Sequence, residues 1–219
     1  MGEYQNIINE RVTDYLISCY RPYNEELAAF RKRAEEDRVP VILPDAETLI
    51  LNIIRIMKPE RILEIGTAVG YSSCCFAEVS GVPVDTVEKK ESVAVTARDN
   101  IRDMGLQNLI TVYTGDGEEV VCGLDHTYDF IFIDAAKSHY RRFFDAAVSK
   151  AKDGAVIVCD NVLFKARVVS DEYDPSGKYK TNIRRMREFI DYLLSLDYAD
   201  TSLIPAGDGL TVTVLKHRG

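Results

Sequence analysis

Two apolar stretches of the sequence end in oxygen-bearing side chains. FIFI is followed by Asp134, with Lys137 three residues later, and AVIVC is followed by Asp160 and Asn161. If both stretches are parallel strands of one sheet, their carboxyl ends meet at one edge and bring these residues together. Carboxylate and amide oxygens suit Mg²⁺ better than Zn²⁺. The pattern therefore predicts that Asp134, Asp160 and Asn161 bind a divalent cation beside a substrate.

Lys137 and Asp134 are the predicted catalytic residues. Beside a dication the pKa of a lysine falls, so Lys137 could act as a base or stabilise an oxyanion. A substrate with two adjacent oxygens would bind the metal through both, and its hydroxyl would lose the proton more easily. Taken singly, Asp134 could instead cap a helix, and Lys137 could be a solvated side chain. Asp160 and Asn161 could form an Asx turn.

A glycine loop, EIGTAVGYSS, follows the first predicted strand. Gly66 and Gly70 allow the backbone to turn tightly and to approach a ligand closely. The GxxxG spacing differs from the GxGxxG of dinucleotide folds, so a pyrophosphate is not the expected ligand. Glu64 would repel a phosphate, but it could accept hydrogen bonds from an ammonium group. An ordinary strand-to-helix turn is the alternative.

Two more acids follow the next two predicted strands. Glu88 lies 18 residues after Gly70 and could accept hydrogen bonds from both hydroxyls of a ribose, as in nucleotide-binding folds. Asp116, which lies between Gly115 and Gly117, is suited to an exocyclic adenine amine. The alternatives are an exposed glutamate and an aspartate that caps a helix. The order of the three acidic sites along the chain favours one shared ligand over three unrelated turns.

These residues need a scaffold in which strand ends converge. Short apolar runs alternate with helical patterns, which predicts a parallel sheet with helices on both faces. Two final runs separated by AGDG predict a closing antiparallel hairpin. Strands are predicted at residues 61–66, 84–88, 109–113, 128–133, 155–159, 199–205 and 210–215, and helices at 7–20, 25–36, 46–57, 72–79 and 92–104. The helices before the first strand could cap the site or form a dimer face.

Length and charge limit the fold and the partners. The 219 residues are 46% hydrophobic, which predicts a single domain over residues 1–219, with a helical cap at 1–57 and a core at 58–219. The net charge is −8, so no global field draws the chain to phosphates or anionic membranes. The five cysteines form no CxxC pair, and no segment approaches about 18 consecutive apolar residues. A reduced, cytoplasmic protein without a membrane span is expected.

Three motifs, EIGTAVGYSS, FIDAAKSHY and CDNVLF, resemble those of class I S-adenosylmethionine (AdoMet) methyltransferases. More narrowly, they resemble the divalent-metal-dependent O-methyltransferases of the catechol and caffeoyl-CoA type, over residues 40–215. The resemblance implies an α/β, Rossmann-like fold whose seven-stranded, mostly parallel sheet has an antiparallel last strand. It also implies AdoMet and Mg²⁺, or another divalent cation, as cofactors. The residues expected to contact AdoMet are Ile42, Glu64, Gly66, Tyr71, Ser72, Glu88, Asp116, Gly117 and Asp134.

Residues 162–187 reverse the acidic sign of the chain, with seven basic and three acidic side chains. This segment is either a solvated face or a footprint for the phosphates of nucleic acid or coenzyme A. IDAAKSHYRRFFD, DNVLFKARVV and TNIRRMREF resemble the bacterial branch that methylates 5-hydroxyuridine in the tRNA anticodon to 5-methoxyuridine. The residues expected to contact the RNA are Lys165, Arg167, Arg184 and Arg185.

The acceptor therefore has two candidate classes. The 5-hydroxyl and 4-carbonyl of the wobble uridine would present two oxygens to Mg²⁺, as a catechol does. Binding of a tRNA base would also need an aromatic stack, for which Phe164 and Tyr173 are candidates. A small catechol-like or coenzyme A-linked substrate is the alternative, and a non-catalytic AdoMet-binding module is less favoured. A homodimer formed through the N-terminal helices is also expected.

Overall fold

The computed structural model describes residues 10–217, in which seven strands form one sheet. The strands are β1 (Ile62–Ile65), β2 (Val84–Glu88), β3 (Ile110–Thr114), β4 (Tyr128–Ile133), β5 (Ala151–Cys159), β6 (Ala199–Ile204) and β7 (Leu210–Leu215). The helices are α1 (Glu10–Cys19), α2 (Glu25–Glu36), α3 (Pro44–Met57), α4 (Tyr71–Ser80), α5 (Glu91–Asp103), α6 (Gly117–Gly123), α7 (Tyr140–Lys150) and α8 (Lys180–Leu194). Within this range no helix combines the length and the apolar character that crossing a membrane requires.

The order of the strands confirms the predicted fold class. From edge to edge the sheet runs β3-β2-β1-β4-β5-β7-β6, and β7 is antiparallel to both of its neighbours. The other six strands are parallel to one another. Chain connections leave β1 in opposite directions, toward β2 and later toward β4, and ligands bind outside the carboxyl ends of strands at such a switch point.

The strand register brings the predicted catalytic edge together. The last residues of β1, β4 and β5 are paired with one another across the sheet. Gly66, Asp134 and Asp160 each come directly after one of these strands, so they lie side by side at one edge. This arrangement is the convergence of strand ends that the sequence predicts for Asp134 and Asp160.

Two apolar layers hold the helices against the sheet. On one face Phe144 of α7 packs edge-on against Phe189 of α8, with ring centroids 6.0 Å apart. On the other face Phe76 of α4 packs edge-on against Phe132 of β4, at 5.3 Å. Since both faces are covered, the strands that carry the site are nearly continuous apolar runs. The helices fix the strand ends and leave the loops beyond them to form the site.

Element boundaries differ from the predictions in a few places. Strand β5 begins at Ala151, four residues before the predicted start at 155, because its first residues are polar and carry no apolar pattern. Strand β3 is shifted by one residue, to 110–114. The predicted helix at 7–20 appears as α1 over Glu10–Cys19, and its first three predicted residues, 7–9, lie outside the described part of the chain.

Candidate active site

A cleft of about 310 Å³ lies at the carboxyl ends of β1, β2 and β4. Its volume is in the range of small-ligand sites. Of the nine residues predicted to contact the cofactor, eight line it: Ile42, Gly66, Tyr71, Ser72, Glu88, Asp116, Gly117 and Asp134. Residues at the ends of four strands, β1 to β4, thus line one cavity, which the glycine loop, Glu88 and Asp116 share as their order along the chain predicts.

Gly66 is required by the close approach of two loops. Its φ is +111°, and a Cβ built there would lie 1.9 Å from the carbonyl oxygen of Asp134. No side chain fits at that distance, so only glycine lets the loop after β1 pass against the loop after β4. The glycine therefore brings the cofactor cleft next to the predicted catalytic aspartate.

Glu64 is the one predicted cofactor residue that the structure does not place on the cleft wall. It is fully buried on the α4 side of the sheet, and Ser72, Ser73 and Thr86 each donate a hydroxyl hydrogen bond to its carboxylate. Burial raises the pKa of Glu64 to about 7, although the three hydroxyls act in the opposite direction. The carboxylate supports the cleft from behind through Ser72, which does line it.

Glu88 and Asp116 line the cleft and also organise the loops around it. The carboxylate of Glu88 accepts hydrogen bonds from the amides of Ala68, at 3.1 Å, and Lys90, at 3.0 Å. These bonds tie the glycine loop to the end of β2. Asp116 caps α6 and pairs with Lys89 at 3.3 Å. It is therefore both a helix cap, as the alternative interpretation proposed, and a residue of the cleft wall. Each carboxylate keeps acceptor capacity for a ligand.

The predicted metal ligands directly follow β4 and β5, beside the cleft. Asp160 is buried, and its Oδ1 accepts hydrogen bonds from the amide nitrogen of Asn161 at 2.6 Å and from the side-chain amide of Asn161 at 3.0 Å. This geometry leaves the amide oxygen of Asn161 available. Asp134 lines the cleft, whereas Asp160 and Asn161 do not belong to its lining. Two carboxylates and an amide oxygen with free acceptor capacity fit a divalent cation.

Electrostatics support the same assignment. Burial raises the pKa of Asp160 well above its usual range, and the nearby Asp134 raises it further. Burial likewise raises the pKa of Asp134, against the opposing effect of Lys137. A cation bound between the two acids would favour their ionised forms and so oppose these shifts in pKa. Among the described residues no three His, Cys, Asp or Glu side chains form a metal-binding cluster, and the predicted ligand set contains two carboxylates and one amide.

Lys137 lies between these acids and an aromatic ring. Its Nζ donates a hydrogen bond to the carbonyl oxygen of Asn161 at 3.2 Å and lies 5.1 Å from the centroid of the Phe164 ring. Burial lowers the pKa of Lys137, while the surrounding aspartates oppose this effect. The side chain of Lys137 is thus positioned at the boundary between the cofactor cleft and the loop after β5.

The post-β5 loop, residues 161–166, has an unusual backbone. Phe164, Lys165 and Ala166 have φ angles of 48°, 54° and 62°, although none of them is glycine. Three consecutive left-handed residues are rare in L-amino acids and require support from neighbouring structure. This conformation places the half-buried Phe164 beside Lys137 and leaves Lys165 exposed.

The other predicted RNA-binding residues are distributed around this loop. The guanidinium of Arg167 lies 4.7 Å from the ring centroid of Tyr179 and 5.3 Å from that of Phe164. Arg185 reaches the carbonyl oxygen of Ser138, at 3.5 Å, whereas Arg184 is 71% exposed and pairs weakly with Glu188. Arg185 therefore lies against the segment that carries Lys137. Arg184 points away from this contact and faces solvent.

Sequence reasoning missed several residues of the site. Phe143 of α7 lines the cleft, and so does Val41 from the segment before α3. His139, just before α7, also lines it. Asp208 lies in the β6–β7 turn and interacts electrostatically with Asp134 and Lys137. No local pattern marks Asp208 as more than a turn residue, because its partners are distant in sequence.

A buried ion pair holds the N-terminal helices against the cleft. Arg31 of α2 pairs with Glu47 of α3 at 2.5 Å, with both side chains less than a tenth exposed. The hydroxyl of Tyr71 donates to Glu47 at 2.9 Å, and Arg31 donates to the carbonyl oxygen of Ile42 at 2.7 Å. Tyr71 and Ile42 line the cleft, so this network fixes two of its walls.

Several known proteins are similar to this chain in sequence and in fold. The model of a family described as O-methyltransferase matches residues 17–216. The chain is 28% identical over 174 residues to the catechol O-methyltransferase of Niastella koreensis, which covers 76% of this chain and 79% of that protein. A Staphylococcus aureus protein, solved and provisionally described as a caffeoyl-CoA O-methyltransferase, is 29% identical with a TM-score of 0.88. That alignment covers 94% of this chain and 100% of the other.

A ligand is present in another similar structure. The O-methyltransferase from Bacillus cereus was solved in complex with SAH and is 26% identical to this chain, with a TM-score of 0.80. The alignment covers 94% of this chain and 97% of the other. The comparisons therefore agree with the predicted methyltransferase fold.

Proposed function

Because this chain belongs to the O-methyltransferase family and is an AdoMet-dependent O-methyltransferase, we propose that it methylates a hydroxyl oxygen with the help of a divalent cation. The observation that supports the metal dependence is the pair of carboxylates that follow β4 and β5, the half-buried Asp134 and the buried Asp160. AdoMet would occupy the cleft, with Glu88 accepting hydrogen bonds from the ribose and Asp116 from the adenine amine.

The residues around the acceptor hydroxyl would have two roles in the transfer, metal binding and proton removal. A cation held by Asp134, Asp160 and Asn161 would polarise the acceptor oxygens and lower the pKa of the hydroxyl. Lys137, whose pKa burial lowers, would take the hydroxyl proton at Nζ or stabilise the oxyanion. The oxyanion would then form a bond to the methyl carbon of AdoMet while the bond from that carbon to the sulfonium sulfur breaks, and S-adenosylhomocysteine would leave. Positioning and electrostatics would supply most of the rate enhancement.

For the acceptor we propose 5-hydroxyuridine at the wobble position of tRNA, which would give 5-methoxyuridine. The position of Phe164 supports a planar acceptor, because its partly exposed ring lies 5.1 Å from Lys137 Nζ and could stack on a base. Neither Phe164 nor Tyr173, the other candidate for stacking, belongs to the lining of the cofactor cleft, and Phe164 is favoured because it lies beside Lys137. Lys165, Arg167 and Arg185 surround the same loop and would bind phosphates.

A small catechol-like or coenzyme A-linked substrate is the second candidate. The names of the similar proteins favour it, since they include a catechol O-methyltransferase and caffeoyl-CoA O-methyltransferases. Such a substrate would use the same metal site and Lys137. The basic side chains beyond the post-β5 loop would then bind the phosphates of coenzyme A or only solvent.

Incubation with labelled AdoMet and Mg²⁺ distinguishes the two acceptors. Hypomodified bacterial tRNA and a simple catechol are offered in parallel, and the label is followed into each. Label in tRNA supports the wobble-uridine acceptor, whereas label in catechol alone contradicts it. The double variant Arg184→Ala/Arg185→Ala should weaken tRNA binding by about tenfold, since each phosphate contact contributes a salt-dependent share of affinity. Unchanged affinity would mean that these arginines form only a solvated face.

A matched control tests whether this loss reflects position or net charge. Lys32→Ala/Arg102→Ala also removes two positive charges, from exposed side chains on helices that carry no cleft residue. Its tRNA affinity should equal that of the wild type. Catechol methylation should be unchanged in both double variants, because neither alters the metal ligands.

We also propose that two copies of the chain associate through the N-terminal helices. The support is an exposed apolar strip on α1 formed by Val12, Tyr15 and Leu16, which lie on one face of the helix and of which Tyr15 is 69% exposed. Light scattering should show a dimer, and Tyr15→Glu should convert it to a monomer. A monomeric wild type would contradict this proposal without affecting the assignment of the active site.

A further inference from the structure

The turn between β6 and β7 contacts the post-β5 loop directly. This turn, residues 206–209, accepts two backbone hydrogen bonds from the start of the loop. Val162 N donates to the carbonyl oxygen of Gly209, and Leu163 N donates to that of Asp208, each at 3.0 Å. A third bond is made by a side chain, because Lys165 N donates to Oδ1 of Asp208. The turn thus supports the loop along its length.

The side-chain bond meets the loop where its backbone needs support most. Lys165 is the middle one of three consecutive residues in the left-handed conformation. A peptide N–H in such a segment does not take part in a helix or sheet ladder, and no backbone carbonyl of residues 10–217 accepts the N–H of Lys165. The carboxylate of Asp208 supplies that acceptor from 43 residues away in sequence.

The turn itself does not depend on this carboxylate. Gly209 N donates to the carbonyl oxygen of Ala206 at 2.9 Å, which closes the turn. Gly207 N donates to Asp45 Oδ2 at 2.8 Å, which anchors the turn to α3. Since backbone groups and Asp45 already hold the turn, the Asp208 side chain is left to act on the loop.

The loop carries two groups of the acceptor side. The carbonyl oxygen of Asn161 accepts the hydrogen bond from Lys137, and the Phe164 ring lies beside the same ammonium group. We propose that Asp208 is a positioning residue for methyl transfer, whose carboxylate holds the post-β5 loop so that Phe164 and Asn161 face the acceptor. This inference rests on the proposed function for its catalytic consequence, but not for the contact itself.

Two substitutions separate the hydrogen bond from the charge. Asp208→Ala removes the acceptor for Lys165 N and should lower kcat/KM for the hydroxyl acceptor by about tenfold or more, with the AdoMet dissociation constant within about twofold of wild type. Asp208→Asn keeps a side-chain oxygen and should restore kcat/KM to within about threefold of wild type. Asp200→Ala is the matched control, because it removes an exposed acid from the same hairpin and should change neither constant.

Hydrogen exchange of the loop amides gives a readout that does not require activity. Amides of residues 162–169 should exchange faster in Asp208→Ala, and at the wild-type rate in Asp208→Asn and Asp200→Ala. The proposal is overturned if Asp208→Ala exchanges like wild type, if its kcat/KM is unchanged, or if Asp208→Asn is equally impaired. If the wild type methylates no hydroxyl acceptor, the proposed function fails, and the exchange rates alone decide whether Asp208 holds the loop.

Discussion

The buried carboxylate of Glu64 makes a quantitative prediction about pH and stability. Burial raises its pKa from 4.5 to about 7 in the folded chain. Between these two pH values the folded state keeps a proton that the unfolded state releases, so stability falls as pH rises through this window and is constant above it. At 1.36 kcal/mol per pKa unit, the full effect is about 3 kcal/mol, of which about 2.5 kcal/mol falls between pH 5 and pH 8.

Glu64→Gln removes this titration. Relative to wild type, its free energy of unfolding should improve by about 2.5 kcal/mol between pH 5 and pH 8, and any pH-independent loss of hydrogen bonding cancels in that difference. Urea denaturation at both pH values, without AdoMet, measures it. Glu119→Gln, a substitution at an exposed glutamate on α6, controls for the loss of one negative charge. A difference for Glu64→Gln within about 0.5 kcal/mol of zero would refute the reasoning that this carboxylate is buried at a cost.

Two further substitutions test the structure around the cleft. Gly66→Ala places a Cβ within 1.9 Å of the Asp134 carbonyl oxygen, so it should weaken AdoMet binding by about tenfold or more in calorimetry. Wild-type affinity in this variant would show that the two loops are not in contact. Glu47→Ala leaves the buried Arg31 without its partner and should lower the free energy of unfolding by about 3–5 kcal/mol. A decrease in the free energy of unfolding of less than about 1 kcal/mol would indicate a solvent-exposed ion pair and contradict this prediction.

Most of the fold follows from local patterns in the sequence. The alternation of apolar runs with helical patterns predicts the strands, and the position of an acid directly after a strand predicts that Asp134 and Asp160 meet. The start of β5 could not be predicted in this way, because its first residues, Lys152 and Asp153, lack an apolar pattern. They extend the strand through backbone pairing near Tyr128, which depends on a neighbour distant in sequence.

The position of the Glu64 side chain could not be predicted from its place near the end of β1. A residue within a strand that is covered on both faces has no polar side to indicate its direction. The sequence therefore predicts that Glu64 binds a ligand. In the structure it lies on the α4 face, where the hydroxyls of Ser72 and Ser73 donate hydrogen bonds to its carboxylate. Only the packing of α4 decides between these two positions.

The contact between Asp208 and Lys165 could not be predicted from the sequence for a different reason. The AGDG segment predicts a turn correctly, and a turn is a sufficient explanation for every residue in it. Its contact with Lys165 arises because β7 inserts between β5 and β6 in the sheet. Long-range pairing of this kind is visible only once the strand order is known.

Transfer of labelled methyl from AdoMet, measured with Mg²⁺ and again after chelation, tests metal-dependent methylation most directly. We expect chelation to abolish transfer by the wild type, and Asp160→Ala to be inactive while binding AdoMet with nearly wild-type affinity. Transfer that continues after chelation would contradict the proposed metal site. Loss of AdoMet binding in Asp160→Ala, with metal dependence unchanged, would place Asp160 in the cofactor cleft instead.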